Sequence, residues 1–190
     1  MNKPSRGQRV VEFVLEILPV WLAKLSAKGL RCERFVKVKT PSRLRLGRNV
    51  VLQRGALLHC GGRVWSDYAG GIELGNNVVV GPKCILYGAN MIRVGDYTHF
   101  GPGSMVMTQA GNADSTTRHS VTPGHLVNPV TIGSGVWIGA GAVILGGTVL
   151  GDDCIVGPNS VVSGEYGPGT SLIGNPARVV RVRDEEAASP

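Results

Sequence analysis

The sequence is poor in rings, in acid and in uninterrupted hydrophobic runs. Aromatic residues make up only 5% of its 190 positions, too few to interleave with basic side chains as a base-stacking surface, which argues against nucleic acid as a partner. Four cysteines, Cys32, Cys60, Cys84 and Cys154, form no CxxC pair, so neither a zinc ribbon nor a disulfide framework is expected, and reduced thiols in a cytoplasmic protein are. Thirteen acidic residues stand against twenty basic ones, and the net charge of +7 points to anionic partners such as phosphates. The most apolar stretch, Val10 to Leu25, is broken by Glu12, Glu16 and Lys24, so it is unsuited to span a bilayer. It is not followed by a small-residue cleavage site either.

What is present is periodicity. Val10, Val14, Ile17, Leu18, Trp21, Leu22 and Leu25 recur at helical spacing, which predicts an amphipathic helix kinked near Pro19. That helix would pack on the rest of the protein or a neighbouring subunit. Alternatively, with Arg31, Arg34, Lys37, Lys39, Arg43, Arg45 and Arg48 beside it, it would make peripheral membrane contact.

After Pro41 the period becomes six. Leu46, Leu52 and Leu58 form one run; Leu74, Val80, Leu86 and Ile92 a second; Val94, Phe100 and Val106 a third; and Ile132, Ile138, Ile144, Leu150, Val156 and Val162 a fourth. Four places after most anchors stands a small or β-branched residue, such as Ala56, Cys84, Ser104, Ala142, Cys154 or Ser160. Glycine often follows the anchor directly, where it is expected to ease the backbone round a corner. Neither a helix nor an alternating strand repeats at six; a parallel β-helix does, with one anchor per short strand and three strands per coil. Residues 18 apart should then stack, Ile132 on Leu150 and Ile138 on Val156.

The expected organisation is an N-terminal helical arm and basic linker over 1–43, an all-β solenoid over 44–183 and a frayed tail over 184–190. Two segments interrupt the repeat, residues 59–71 and the longer polar excursion 108–130, which should protrude as a loop.

The run from Pro129, P-V-T-I-G through V-W-I-G-A-G-A-V-I-L to G-N-P-A-R-V-V-R, resembles the hexapeptide-repeat acyltransferases, particularly the maltose, galactoside and capsular-sugar O-acetyltransferases. The resemblance implies a left-handed coil, a homotrimer with sites between subunits, and acetyl-CoA as co-substrate without a metal. It also implies direct attack by a sugar hydroxyl, with a histidine as general base. N-acylation of a nucleotide-linked amino sugar uses the same fold, and a catalytically lapsed scaffold subunit is the non-enzymatic alternative. A carbonic anhydrase also exists on this fold, but His59, His99, His119 and His125 lack the repeat register its three ligands need.

Relatives commonly carry their catalytic histidine in a T-x-x-H stretch at the start of the loop. Here the stretch is Thr108-Gln109-Ala110-Gly111, with glycine at the histidine position. The excursion does hold His119 and His125, which become the candidate bases, with Asp114 near enough in sequence to orient His119. His99 and His59 are expected at the surface. Carried over from the resemblance, Trp137, Ala140 and Pro158 would line the pantetheine groove. Arg178 and Arg181 would meet the phosphates of coenzyme A, a task suited to forked guanidinium groups. Ser163-Gly164 stands where relatives frequently have Thr-Lys, so Ser163 would lie on the cofactor path with one phosphate contact fewer.

Overall fold

A computed structural model describes residues 28–61, 69–111 and 125–183. Six coils follow one another. The first holds β1 (Arg31–Cys32), β2 (Lys37–Lys39) and β3 (Leu44–Leu46); the second, β4 (Val51–Leu52), β5 (Leu57–His59) and β6 (Gly71–Leu74). The third holds β7 (Val79–Val80), β8 (Ile85–Tyr87) and β9 (Met91–Val94). In the fourth, β10 (His99–Phe100) and β11 (Met105–Met107) lead into a ribbon of β12 (Gln109–Gly111) and β13 (His125–Val127) before β14 (Val130–Ile132). The fifth is β15 (Trp137–Ile138), β16 (Val143–Leu145) and β17 (Val149–Leu150), and the sixth β18 (Ile155–Val156), β19 (Val161–Val162) and β20 (Glu165–Tyr166). A last strand, β21 (Thr170–Gly174), is closed by the antiparallel β22 (Ala177–Val182).

These strands stack into three faces of a prism. The first face runs β1-β4-β7-β10-β15-β18-β21 and ends on β22; the second runs β2-β5-β8-β11-β16-β19; the third runs β3-β6-β9-β14-β17-β20. Within the coils every pairing is parallel, with Ile132 beside Leu150 and Ile138 beside Val156, as the period of six requires. Every anchor from Leu52 to Val162 is at most 5% exposed, and the small residues from Val50 to Ser160 are at most 1% exposed. Each Leu, Ile or Val so buried contributes about 1.5–3 kcal/mol. Leu46, in the first coil, is only partly buried and packs against this core. The helix expected near residues 10–25 lies outside the described residues.

The solenoid starts earlier than the expected boundary at residue 44. Arg31–Cys32 and Lys37–Lys39, assigned from sequence to a basic linker, are strands paired with β4 and β5. A two-residue strand with charged outward positions has too short an apolar signature to show the period.

The corners also work differently from the expectation. Turns from the first face to the second are always four residues, 33–36, 53–56, 81–84, 101–104, 139–142 and 157–160. Turns from the third face to the first are four residues in five of six cases. In the four-residue turns of these two edges the third residue takes the left-handed conformation, whether it is Gly103 (φ 67), Asn159 (φ 54) or Phe35 (φ 65). The glycine that follows the anchor does not; it is there because the neighbouring coil passes too close for a side chain. A Cβ on Gly139 would lie 2.6 Å from the backbone nitrogen of Pro158. The turns from second to third face vary far more, spanning 40–43, 60–70, 88–90, 108–129, 146–148 and 163–164. Both long insertions leave from this one edge.

Candidate functional site

The outward side chains divide the faces by chemistry. On the third face they are Arg45, Glu73, Arg93, Thr131, Val149 and Glu165, with Glu73 facing Arg45 at 3.8 Å and Arg93 at 3.5 Å. These pairs are exposed and contribute little to stability. On the second face the outward column begins at the exposed Lys37 and continues as Leu57, Ile85, Met105, Val143 and Val161, apolar and half-buried from the second coil onward.

The first face carries the most varied chemistry. Its outward column runs Val51, Val79, His99, Trp137, Ile155, Ser171 and finally Arg181 on β22. The His99 imidazole is stacked on the Trp137 indole, and burial pushes its pKa below the usual range, so the ring is neutral near pH 7. Trp137 is 53% exposed. His99 is therefore not a plain surface residue; the neighbouring coil supplies the ring that half-covers it.

Ala140 and Pro158 occupy equivalent places on successive turns of the edge between the first and second faces, both exposed. The Asn159 N–H donates to the Ala140 carbonyl at 2.9 Å and holds the two turns together. Trp137, Ala140 and Pro158 thus form one continuous strip, and Arg178 and Arg181 lie beyond it on the exposed β22. One Arg178 nitrogen donates to the Ala177 carbonyl at 3.0 Å. Ser163 is not part of that strip. It lies in the turn 163–164 on the edge between second and third faces, its carbonyl accepting from the Tyr166 hydroxyl at 2.8 Å.

The ribbon rises from the variable edge and is pinned at its stem. The Asn128 N–H donates to the Thr108 carbonyl at 2.9 Å. The Thr108 hydroxyl donates to the Tyr87 carbonyl at 3.0 Å and accepts from the Asn90 N–H at 2.9 Å. The Asn90 amide donates to the Val127 carbonyl at 3.3 Å. Above the stem, Gln109 pairs with Val127, Ala110 with Leu126 and Gly111 with His125. His119 and Asp114 lie outside the described residues.

His59, expected at the surface, is only 9% exposed. It ends β5 at the same edge, packed flat on Tyr87 at 4.5 Å between ring centroids. Its Nδ1 is buried without a hydrogen-bond partner among the described residues, and burial, reinforced by Lys39, pushes its pKa down. Residue spacing carries no sign of this, because a histidine at a strand end reads alike whether or not a ring lies beneath it. Cys60, Cys84 and Cys154 are buried, and burial raises their thiol pKa values, that of Cys60 to about 12. Such thiols are poor nucleophiles. Among the described residues, no three His, Cys, Asp or Glu side chains group closely enough to hold a metal ion.

Residues 129–164 match the family model of the bacterial transferase hexapeptide (six repeats). No curated protein matches the chain in sequence. Among solved structures, it is similar to the N-acyltransferase AntD from Bacillus cereus, in complex with dTDP and coenzyme A. The identity is 19% and the TM-score 0.73, over 84% of this chain and 83% of that one. It is also similar to the hexapeptide-repeat acetyltransferase VCA0836 from Vibrio cholerae, with 23% identity and a TM-score of 0.56 over 83% of this chain and 73% of that one. A maltose O-acetyltransferase from Clostridium difficile 630 is 26% identical with a TM-score of 0.55, over 84% of this chain and 69% of that one. The chain carries the hexapeptide repeat, and its structural neighbours are hexapeptide-repeat acyltransferases.

Proposed function

We propose that this hexapeptide-repeat protein is an acyltransferase that moves an acetyl group from coenzyme A to a hydroxyl of a sugar or sugar-containing metabolite. The observation that carries the reading is the spacing along the first face. Trp137 on β15 and Arg181 on β22 are three ladder steps apart, about 14 Å at the usual strand separation. The pantetheine arm has about twelve bonds between its sulfur and its phosphate oxygen, as many as about four extended residues, or roughly 14 Å. With the diphosphate on Arg178 and Arg181, the arm would run past Pro158 and Ala140 and bring the thioester to Trp137.

On this reading a neutral imidazole from the excursion 108–130, which holds His119 and His125, takes the proton of the acceptor hydroxyl, with Asp114 close in sequence to orient His119. The freed oxygen attacks the thioester carbonyl, and a backbone N–H stabilises the oxyanion. Collapse of the tetrahedral adduct breaks the C–S bond; the departing thiolate takes the proton back from the imidazolium. The products are an acetyl ester and free coenzyme A.

Three copies of a left-handed coil would complete the site, each supplying a ribbon to its neighbour's groove. The apolar outward side chains of the second face, from Leu57 to Val161, support such an assembly, since a solvated face would carry charge as the third does. A second reading, transfer to the amine of a nucleotide-linked amino sugar, is favoured by the higher TM-score of 0.73 with AntD, against 0.55 with the maltose enzyme. The test is thiol release from acetyl-CoA with maltose or with dTDP-4-amino-4,6-dideoxyglucose as acceptor. Release with maltose supports the hydroxyl reading, and release with the amino sugar alone supports the second. If coenzyme A fails to bind, both are excluded.

A further inference from the structure

We infer that the first coil of the prism is a docking surface for an anionic lipid bilayer, with the solenoid standing end-on upon it. The inference is independent of the acyl-transfer reading. It follows from where the positive charge goes once residues 31–39 are strands rather than a linker. Eight basic residues and one acid stand between Lys28 and Arg48, whereas the third coil, 79–94, has only Lys83 and Arg93. The coil spreads them round the prism. Arg31 points outward from the first face, Arg34 stands in the turn 33–36, Lys39 ends β2 on the second face, Arg45 points outward from the third, and Arg48 follows at the next corner. All five are exposed. Among the described residues, Arg31, Arg34 and Lys39 form no ion pair. The lone acid, Glu33, is turned toward the second coil, where its Oε2 accepts the Arg54 backbone N–H at 2.9 Å. Because β1, β2 and β3 each end their sheet, the cations ring one end of the prism.

Charge alone would suit any polyanion; the apolar groups at this end select a lipid. Phe35 takes the third place of the turn 33–36 with φ 65, and it is 67% exposed, with the Arg54 guanidinium 5.4 Å from the centre of its ring. Later turns of the same edge put Gly55, Lys83, Gly103, Gly141 or Asn159 there. A bulky ring is strained in that conformation and gains nothing from water. Leu30, Leu44 and Leu46 of the same coil are only partly buried, and the apolar stretch Val10–Leu25 joins the solenoid at this end, just before Lys28. Cations ringed round aromatic and aliphatic side chains match a headgroup layer, where lysine and arginine meet lipid phosphates and apolar groups enter the acyl boundary. One ring in the whole coil makes no base-stacking platform. β15 lies four ladder steps from β1, about 19 Å at the usual strand separation, so the strip that begins at Trp137 stays clear of the surface.

The experiment is co-sedimentation of the full chain with vesicles of phosphatidylcholine alone, or with about one-third phosphatidylglycerol added. The chain should partition onto the anionic vesicles about tenfold more strongly or better, and the excess should vanish at about 1 M salt. Arg31→Gln with Arg34→Gln should lower that partitioning by about tenfold or more. Lys83→Gln with Arg93→Gln removes the same charge from the third coil and should change it by less than about twofold. Phe35→Gly should weaken it by about threefold or more while the thermal midpoint stays level or rises, because glycine accepts the left-handed turn. A merely structural role for the ring predicts a lower midpoint and unchanged binding. Equal partitioning onto the two vesicles overturns the proposal. So does an equal loss from the two charge pairs, which would make net charge the cause rather than this coil. Binding that neither first-coil change weakens places the surface elsewhere and overturns it too. A single-stranded oligonucleotide held more tightly than the anionic vesicles replaces the lipid with nucleic acid.

Discussion

The imidazole of His99 lies flat on the indole of Trp137, ring centroids 4.6 Å apart and planes 14° from parallel. The two residues are partners in adjacent parallel strands, so the stack follows from strand register rather than from a long-range contact. An imidazolium quenches a neighbouring indole, and burial holds His99 neutral to lower pH than usual. The Trp137 emission, isolated as the difference between wild type and Trp137→Phe, should therefore fall on acidification with a midpoint below 6.5. A midpoint at or above that value would contradict the burial of the ring.

His59 should be a site of latent stabilisation. An unpartnered buried polar atom costs about 1–3 kcal/mol, and Nδ1 of His59 is one. His59→Phe keeps a ring on Tyr87 and removes that atom, so it should stabilise the protein by about 1 kcal/mol. The substitution should also change the acid response. The unfolded chain gains a proton on this histidine near pH 6.5, while the folded protein resists it. Stability is thus intact above that pH and declines below it. Thermal unfolding at about pH 7.5 and about pH 5.5 should show a smaller acid-side loss in His59→Phe than in wild type.

On the proposed function, Arg178 and Arg181 would hold the cofactor phosphates. Replacing both by alanine should weaken coenzyme A at least tenfold, roughly one charge-assisted hydrogen bond or more. Dephospho-coenzyme A should lose less on the same change if one arginine serves the 3′-phosphate. Calorimetry on the four protein–ligand combinations decides it, and unchanged affinities would take both side chains off the cofactor path.

Two glycines in consecutive coils should respond to alanine for different reasons. At Gly139 a Cβ would meet the backbone of the next coil at 2.6 Å, atoms that cannot rotate away. Gly139→Ala should cost about 3 kcal/mol, the upper end of overpacking. At Gly103 the space is open but φ is +67°, so Gly103→Ala should cost only about 1 kcal/mol of left-handed strain. Denaturant midpoints for the two variants should fall in that order.

The interior of the solenoid was readable because one residue type repeats at one interval: Ile138, Ile144 and Leu150 need no context to be placed on the axis. Beyond the repeat, legibility faded in stages. The first two strands do not show in the sequence because Arg31–Cys32 and Lys37–Lys39 offer too few apolar positions to show a period. The role of the glycine after each anchor was misread, since sequence cannot separate a residue that needs a left-handed φ from one whose neighbour is too close. Ala140 and Pro158 lie on one edge and Ser163 on another, a difference the motif does not show, because a turn residue's edge depends on the lengths of all turns before it. The pairing of Gly111 with His125 was hidden for a related reason: strand register across a 13-residue gap, 112–124, leaves no trace in residue spacing.

Two edges of the prism keep time and the third does not. Because turns 101–104 and 139–142 have equal length whatever leaves between them, the 22 residues of 108–129 enter and exit without displacing the rungs on either side. That edge behaves as a cloning port. A segment grafted between Met107 and Val130 from another member of this architecture would inherit a prebuilt frame and change what the chain recognises without renegotiating how it folds. Diversification of acceptor choice then needs no new core, only a new passenger at a single address.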